Sequence, residues 1–295
     1  MAVPPSVTVV VPVLDDAEDL RACLAALARQ TRPADEVVVV DNGSSDDSVR
    51  VALDAGARVV HEPLRGIAAA ASAGYDAATG DVIARVDADT IVPEDWLARA
   101  LRWFDDPIVT AVTGPGEFRD LGPVASAFWR TMYMRAYFVT MTAALGRPPL
   151  YGSNALFRRS AWRAVRHRVH RTDPGVHDDV DLSLQFDPRW RTVLDRTLVV
   201  TVSGSPVRDL RGLFRRTLKA QHTLVVSGLR AVPPARLLRR FRQATRPVPT
   251  GSVPTGPAST GGSTEASARA APETVAETAV AESAVAESAA AEVPA

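Results

Sequence analysis

The 295-residue chain has one cysteine, Cys23, and one lysine, Lys219. A single cysteine excludes an intramolecular disulfide. Cys23 falls within Leu20–Leu27, on the apolar side of an expected helix, where a buried structural thiol is the expectation rather than a nucleophile. No run of 18 uncharged apolar residues occurs, so no membrane-spanning helix is expected. No G-x-G-x-x-G follows the first apolar run and no P-loop string occurs, which disfavours a dinucleotide-dependent enzyme or an NTPase. Met1-Ala2-Val3-Pro4-Pro5 has no basic n-region and passes directly into a strand, so no signal peptide and a cytoplasmic location are expected. Aromatic residues are missing from Pro247 onward. There Pro, Gly, Ser, Thr, Ala and Glu dominate, and Glu277, Glu282, Glu287 and Glu292 recur at five-residue spacing. Such a stretch buries too little apolar area to offset its ordering entropy, and a disordered tail over 247–295 is expected.

The formal net charge is zero, and that zero conceals a gradient. Residues 1–146 carry 12 arginines against 21 acidic residues, while residues 147–243 carry 20 basic residues against 7 acidic ones. An acidic half beside a basic half suits a site that holds a cation together with an anionic ligand. Nucleic acid is not the expected partner, because no recognised binding motif accompanies the basic half.

Hydrophobic patterning organises the first half. Val7–Val13 reads as a buried strand, and Asp15 and Asp16 are placed to cap a helix in which Leu20, Leu24 and Leu27 recur at helical spacing. Strands are then expected at Glu36–Asp41, Arg58–His61 and Asp81–Asp87. Helices are expected at Ser44–Ala55, at Gly66–Thr79 and after Pro93. This alternation predicts an α/β fold with a doubly wound, mostly parallel sheet. A long helix carrying Phe128, Trp129, Met132, Tyr133, Tyr137, Phe138 and Met141 follows, either a core helix or an element at a membrane surface. The segment Val207–Arg242 is basic and partly amphipathic. The expected organisation is a domain over 1–204, a basic helical extension over 205–246 and the tail.

Three acidic clusters carry the chemistry. Asp41 ends a run of four valines, Asp87 and Asp89 end the run from Val82, and Asp178, Asp179 and Asp181 follow His177 at the start of a helix. Ligands of open α/β sheets bind outside the carboxyl ends of the strands. Asp87 and Asp89 are spaced to reach one divalent cation such as Mg2+ or Mn2+, or else to cap the next helix. Asp41 suits ribose hydroxyls or a base N–H, or serves as a turn residue. The third cluster offers a general base or a helix cap. His177 is a candidate for contact with a metal or phosphate, whereas His61, His167 and His170 carry no motif.

In this order the motifs resemble the family-two glycosyltransferases of the GT-A fold. Val7–Pro12 with Leu14-Asp15 resembles the family's opening strand, and Gln30, Glu36–Asp41 and Gly43-Ser44-x-Asp46 resemble the signature that follows it. Gly66–Gly74 with Gly80-Asp81 resembles the helix before the metal motif, and Asp87-Ala88-Asp89 stands in the Asp-x-Asp position. Gly152-Ser153-Asn154 resembles the acceptor-side strand, and Asp178-Asp179 the Glu-Asp motif that supplies the base. The resemblance implies a donor site at Pro12, Leu14, Asp15, Asp41, Gly66 and Asp87, with the metal on Asp87 and Asp89. It also implies Asp179 as the base and Asp178 as its support. It further implies inverting transfer from a UDP- or GDP-sugar to a hydroxyl acceptor. Apart from the resemblance, the aromatic helix and the basic C-terminal helix suggest a glycan or lipid-linked acceptor and peripheral membrane contact.

The chain departs from the family pattern in places. Ala71-Ser72 stands where Arg-Asn is frequent, with Arg65 as a candidate replacement. Asp178 stands where Glu is usual. The Gln-x-x-Arg-Trp string of processive synthases is absent, which favours transfer of one sugar. A catalytically silent binding protein of the same fold is the alternative. A nucleotidyltransferase is disfavoured by the lack of a glycine-rich opening loop and by the single lysine.

Overall fold

A computed structural model describes residues 4–119, 122, 128–203 and 210–227. The expected tail, and the expected extension beyond residue 227, lie outside the described residues. The strands are β1 (Val7–Val13), β2 (Glu36–Asp41), β3 (Arg58–His61), β4 (Val82–Arg85), β5 (Val109–Thr113), β6 (Gly116–Phe118), β7 (Ala155–Arg158), β8 (Arg191–Leu194) and β9 (Val200–Val202). Seven of them form one sheet in the order β3-β2-β1-β4-β7-β5-β8. Only β7 runs antiparallel to its neighbours in that sheet. Strands β6 and β9 make a separate parallel pair.

Every residue of β1 is buried, as a β-branched run must be when helices cover both faces of its sheet. The two-residue period divides the strand between two cores. Val7, Val9, Val11 and Val13 pack with α1 (Ala17–Ala28) through Leu20, Cys23, Leu24 and Leu27. Val10 packs on the other side with Val38, Val40 and α3 (Ile67–Ala77), which follows α2 (Ser48–Asp54). Helix α3 lies close to the sheet because residue 74 is glycine. A Cβ there would meet Val10 Cγ1 at 2.3 Å and Val40 Cγ2 at 2.8 Å.

The remaining helices are α4 (Trp96–Leu101), α5 (Arg135–Leu145), α6 (Arg159–Val165), α7 (Asp178–Gln185) and α8 (Leu210–Val226). Helix α8 docks on the start of α7. The fully buried Thr223 hydroxyl accepts the His177 amide N–H at 2.8 Å, and His222 Nε2 lies 2.8 Å from Asp173. Among the described residues, no helix is long and apolar enough to cross a membrane.

Several expectations are corrected at element ends. Asp15 and Asp16 make no side-chain cap on α1; the Ala17 amide donates instead to Asp46 Oδ2 at 2.9 Å. Asp15 turns away at φ 51° and accepts the Ser45 amide at 2.6 Å. Residues 44–47 are consequently committed to this loop, so α2 begins at Ser48 rather than Ser44. Strand β4 ends at Arg85, which leaves Asp87 in the following loop. The aromatic helix carries a π-helical turn over Arg130–Met134. Met134, Phe138 and Met141 are buried, while Phe128, Met132 and Val139 are exposed among the described residues, so it is a core helix with one exposed apolar stripe.

Candidate active site

The strand order reverses between β1 and β4, because β2 and β3 lie to one side of β1 and later strands to the other. Such a switch point opens a crevice at the carboxyl ends of the strands. Asp41 ends β2, Leu14 and Asp15 follow β1, and Asp87 follows β4, all at that edge. The antiparallel β7 adds the chain entering from Tyr151, so Gly152 and Ser153 face the loop after β4.

A cavity of about 310 Å³ opens there, lined by Asp87, Asp89, Asp178 and Asp179 together with Arg85, Gly152, Ser153, His177 and Lys219. The second and third acidic clusters therefore meet across one space. Pro12, Leu14, Asp15, Asp41 and Gly66 are not in its wall. Pro12, Leu14, Asp15 and Asp41 sit at the carboxyl ends of β1 and β2, and Gly66 precedes Ile67, which does line the cavity. Pro12 is paired with Val40, Leu14 is exposed, and the Asp15 amide donates to the Ser44 hydroxyl oxygen at 3.1 Å. The Gly66 amide donates to Asn42 Oδ1 at 2.7 Å.

Asp41 is buried and accepts the Ser44 amide at 2.9 Å, and His61 Nδ1 lies 3.1 Å from its other oxygen. Burial opposes ionisation, but the bonds from Ser44 and His61 outweigh it and hold the carboxyl below its ordinary range. His61, which has no sequence motif, thus belongs to the Asp41 ledge. Arg65 reaches back to the Gly43 carbonyl at 2.7 Å, away from the cavity.

The four cavity carboxylates differ in environment. Asp87 accepts Arg85 Nη2 on one oxygen at 2.8 Å and the Ser153 hydroxyl on the other at 2.6 Å. Asp178 accepts Arg85 Nη1. Asp179 accepts the Gly152 amide at 3.0 Å and faces His177 Nδ1 at 2.7 Å. Burial would raise the Asp179 carboxyl, yet the His177 charge and hydrogen bond, with Arg85 behind them, hold it at about 2. Asp89 has no hydrogen-bond partner among the described residues. Burial first, and then the Asp87 charge, push its carboxyl up to about 6. Asp181 faces away, bonded to the His170 amide at 2.7 Å, and serves the fold.

The donor set fits a divalent cation on the Asp87–Asp89 side. Asp89 is a half-buried carboxylate without a hydrogen-bond partner among the described residues, Asp87 keeps unused lone pairs, and oxygen ligands suit a hard ion. His177, Asp178 and Asp179 also bring ligand atoms within 4.8 Å of one another, but Arg85, His177 and Gly152 already satisfy those carboxylates. The motifs missed Arg85, Thr223 and Lys219. A signal for Arg85 was available, since a charged residue inside a buried apolar strand needs partners.

The family model described as glycosyl transferase family 2 matches residues 8–166, more than half of the chain. Glycosyltransferase AglE of Haloferax volcanii is 32% identical over 122 residues, which cover 39% of this chain and 40% of that protein. The chain spans half or less of the length of the curated relatives it matches. Mannosyltransferase PcManGT of Pyrobaculum calidifontis, in complex with GDP-Man and Mn2+, superposes with a TM-score of 0.55 at 24% identity, over 85% of this chain and 77% of that one. Glucosyl-3-phosphoglycerate synthase of Mycobacterium tuberculosis, in complex with Mn2+, UDP and glucosyl-3-phosphoglycerate, superposes with a TM-score of 0.56 at 19% identity, over 76% and 80%. At these identities the two structures share a fold. With the matched segment running from β1 through α6, the chain belongs to glycosyl transferase family 2 and has the GT-A fold.

Proposed function

We propose that this chain transfers a single sugar from a nucleoside-diphosphate sugar to a hydroxyl acceptor with inversion at the anomeric carbon. The observation that carries this reading is the meeting of Asp89, half-buried and without a hydrogen-bond partner among the described residues, with the ionised Asp179 across one cavity. Asp89 and Asp87 hold the divalent ion, and Asp41 with its ledge of Pro12, Leu14, Asp15 and Gly66 takes the nucleoside. Such an ion, Mg2+ or Mn2+, neutralises charge on a departing diphosphate. Asp179 accepts the acceptor hydroxyl proton as that oxygen attacks the sugar from the face opposite the leaving group. A carboxyl held low by His177 and Arg85 is ionised in the resting site and free to accept that proton. His177 fixes the Asp179 orientation at 2.7 Å.

UDP and GDP sugars are the donors to try first, because fold relatives were captured with GDP-Man or UDP. A glycan or lipid-linked acceptor is the proposed class. The exposed stripe of Phe128, Met132 and Val139 supports contact with a membrane surface. A binding role without turnover is the second reading, favoured by Ala71-Ser72 in place of Arg-Asn. Incubation with Mn2+ and a panel of UDP- and GDP-sugars separates the two. The transfer reading predicts nucleoside diphosphate release from at least one donor, abolished in Asp89→Ala. Donor binding with no release under any acceptor condition would leave the second reading standing.

A further inference from the structure

Arg85 ends β4 and is 3% exposed, yet its guanidinium spans two acidic motifs. Nη2 donates to Asp87 Oδ1 at 2.8 Å, and Nη1 donates to Asp178, which lies 93 positions further along the chain. Its Nε is buried without a hydrogen-bond partner among the described residues, so the side chain is placed by the two carboxylates rather than by full satisfaction of its own donors. The opposite wall is shaped to admit it. A Cβ on Gly152 would lie 2.9 Å from Nη1 and 3.0 Å from Cζ.

Asp178 also belongs to a trio with His177 and Asp179 whose ligand atoms lie within 4.8 Å of one another, the spacing of a cation site. Asp87 belongs to the other acidic pair. An arginine is charged at every working pH, and its planar fork can serve two carboxylates at once, which an ammonium cannot do in the same geometry. A divalent ion ligated by Asp178 would have to displace this guanidinium or sit against it.

We infer that Arg85 is a positioning residue that occupies the cation position between the two acidic motifs, confining a divalent ion to Asp89 and Asp87 and barring Asp178 as a ligand. The inference rests on the metal-assisted reading above. Its consequence is that the Asp178–Asp179 end of the cavity is kept free of metal, so Asp179 faces an acceptor hydroxyl and not an ion. Removal of Arg85 frees Asp178 and completes a second site with His177 and Asp179.

The test is Mn2+ binding to the full-length chain in the presence of a nucleoside diphosphate, followed by electron paramagnetic resonance and titration calorimetry. Wild type is expected to take one ion per chain, and Arg85→Met two, with the additional ion lost again in Arg85→Met/Asp178→Asn. Asp178→Asn alone, which preserves shape, is expected to leave Mn2+ affinity within threefold, whereas Asp89→Ala weakens it more than tenfold. The single-substitution arm decides the matter if Arg85→Met does not fold. An Arg85→Met chain that still binds one ion at unchanged affinity overturns the inference, and so does a loss of more than threefold in Asp178→Asn. A wild-type chain that binds no Mn2+ overturns the metal-assisted reading itself, and the inference with it.

Discussion

Asp179→Asn separates base chemistry from architecture. The carboxylate receives the Gly152 amide at 3.0 Å and faces His177 Nδ1 at 2.7 Å. An asparagine can keep its oxygen toward Gly152 and turn its amide toward His177, whose neutral ring can accept at Nδ1, while giving up the contact that the Val180 amide makes at 2.7 Å with the carboxylate oxygen on the His177 side. The structural loss is then a charge-assisted bond replaced by a neutral one, about 1–2 kcal/mol. For a domain of this size that lowers Tm by roughly 2–8 °C. A fold stabilised by about 5–15 kcal/mol survives such a loss. The chemical loss is larger. A positioned base contributes about 10²–10⁴-fold, or roughly 3–5 kcal/mol of barrier. The assay is nucleoside diphosphate release at saturating donor and acceptor, well below the variant's melting point, with donor binding measured separately. Rate should fall at least a hundredfold while donor affinity changes little, because Asp179 lies apart from the Asp41 ledge. A folded variant that keeps a third of the wild-type rate would show that Asp179 is not the base.

Glu36, at the opposite edge of the sheet, accepts Arg58 Nε and Nη2 at 2.9 and 2.6 Å, the Thr8 hydroxyl at 2.7 Å, and the Thr79 amide and hydroxyl at 3.2 and 2.9 Å. Burial opposes its charge, but those bonds outweigh burial and hold its carboxyl low. Its stabilising contribution is therefore complete above the unfolded value of about 4.3 and is lost as pH falls through the lower folded value. Glu36→Gln should cost about 1–3 kcal/mol at pH 7, with the gap from wild type closing in acid during urea titrations; a gap that is constant with pH refutes the charge argument. Lys219 lines the cavity and has no ion pair among the described residues, so Lys219→Ala should weaken nucleoside diphosphate binding up to about fivefold, the scale of an exposed pair. Unchanged affinity in calorimetry removes it from anion contact. Gly152→Ala drives a methyl against a guanidinium pinned at both ends and should cost about 1–3 kcal/mol. A Tm within 1 °C of wild type would mean that the wall yields freely.

The first three strands and helices α1 and α3 were readable because each is a long apolar period bounded by acidic or glycine punctuation. The acidic clusters were readable as a site because they recur in a family order and follow buried runs. Loop ends were not. Ser44 and Ser45 look like caps for the helix ahead of them but serve Asp15 across the β1–α1 connection, while Asp46 serves both helices, accepting the Ala17 amide on one oxygen and the Ser48 amide on the other. Local sequence cannot say which of two nearby helix starts a cap will serve. The antiparallel insertion of β7 between β4 and β5 was equally hidden, since it depends on pairings between residues far apart in the chain. That insertion brings Gly152 and Ser153 against Asp87 and Asp179. The same holds for the pairing of His61 with Asp41, where only the sheet register sets the two side by side.

The loss of Arg-Asn at Ala71-Ser72 reads differently once α3 is placed. Ala71 is 1% exposed and Ser72 5%, in a helix whose Gly74 already touches β1 and β2. A long cationic side chain at 71 would have to displace its buried surroundings, so the helix cannot simply regain one there. The acidic cavity still needs positive charge, because four carboxylates facing one space repel one another. That charge comes from β4 and α8 instead: Arg85 sits beneath the carboxylates and Lys219 at their rim. The two cations are not equivalent. Arg85 is committed to Asp87 and Asp178 and sets their geometry, whereas Lys219 remains available to an incoming anion. Tight packing of α3 and relocation of the cationic residues are thus one structural solution, and the missing pair is weak grounds for an inactive protein.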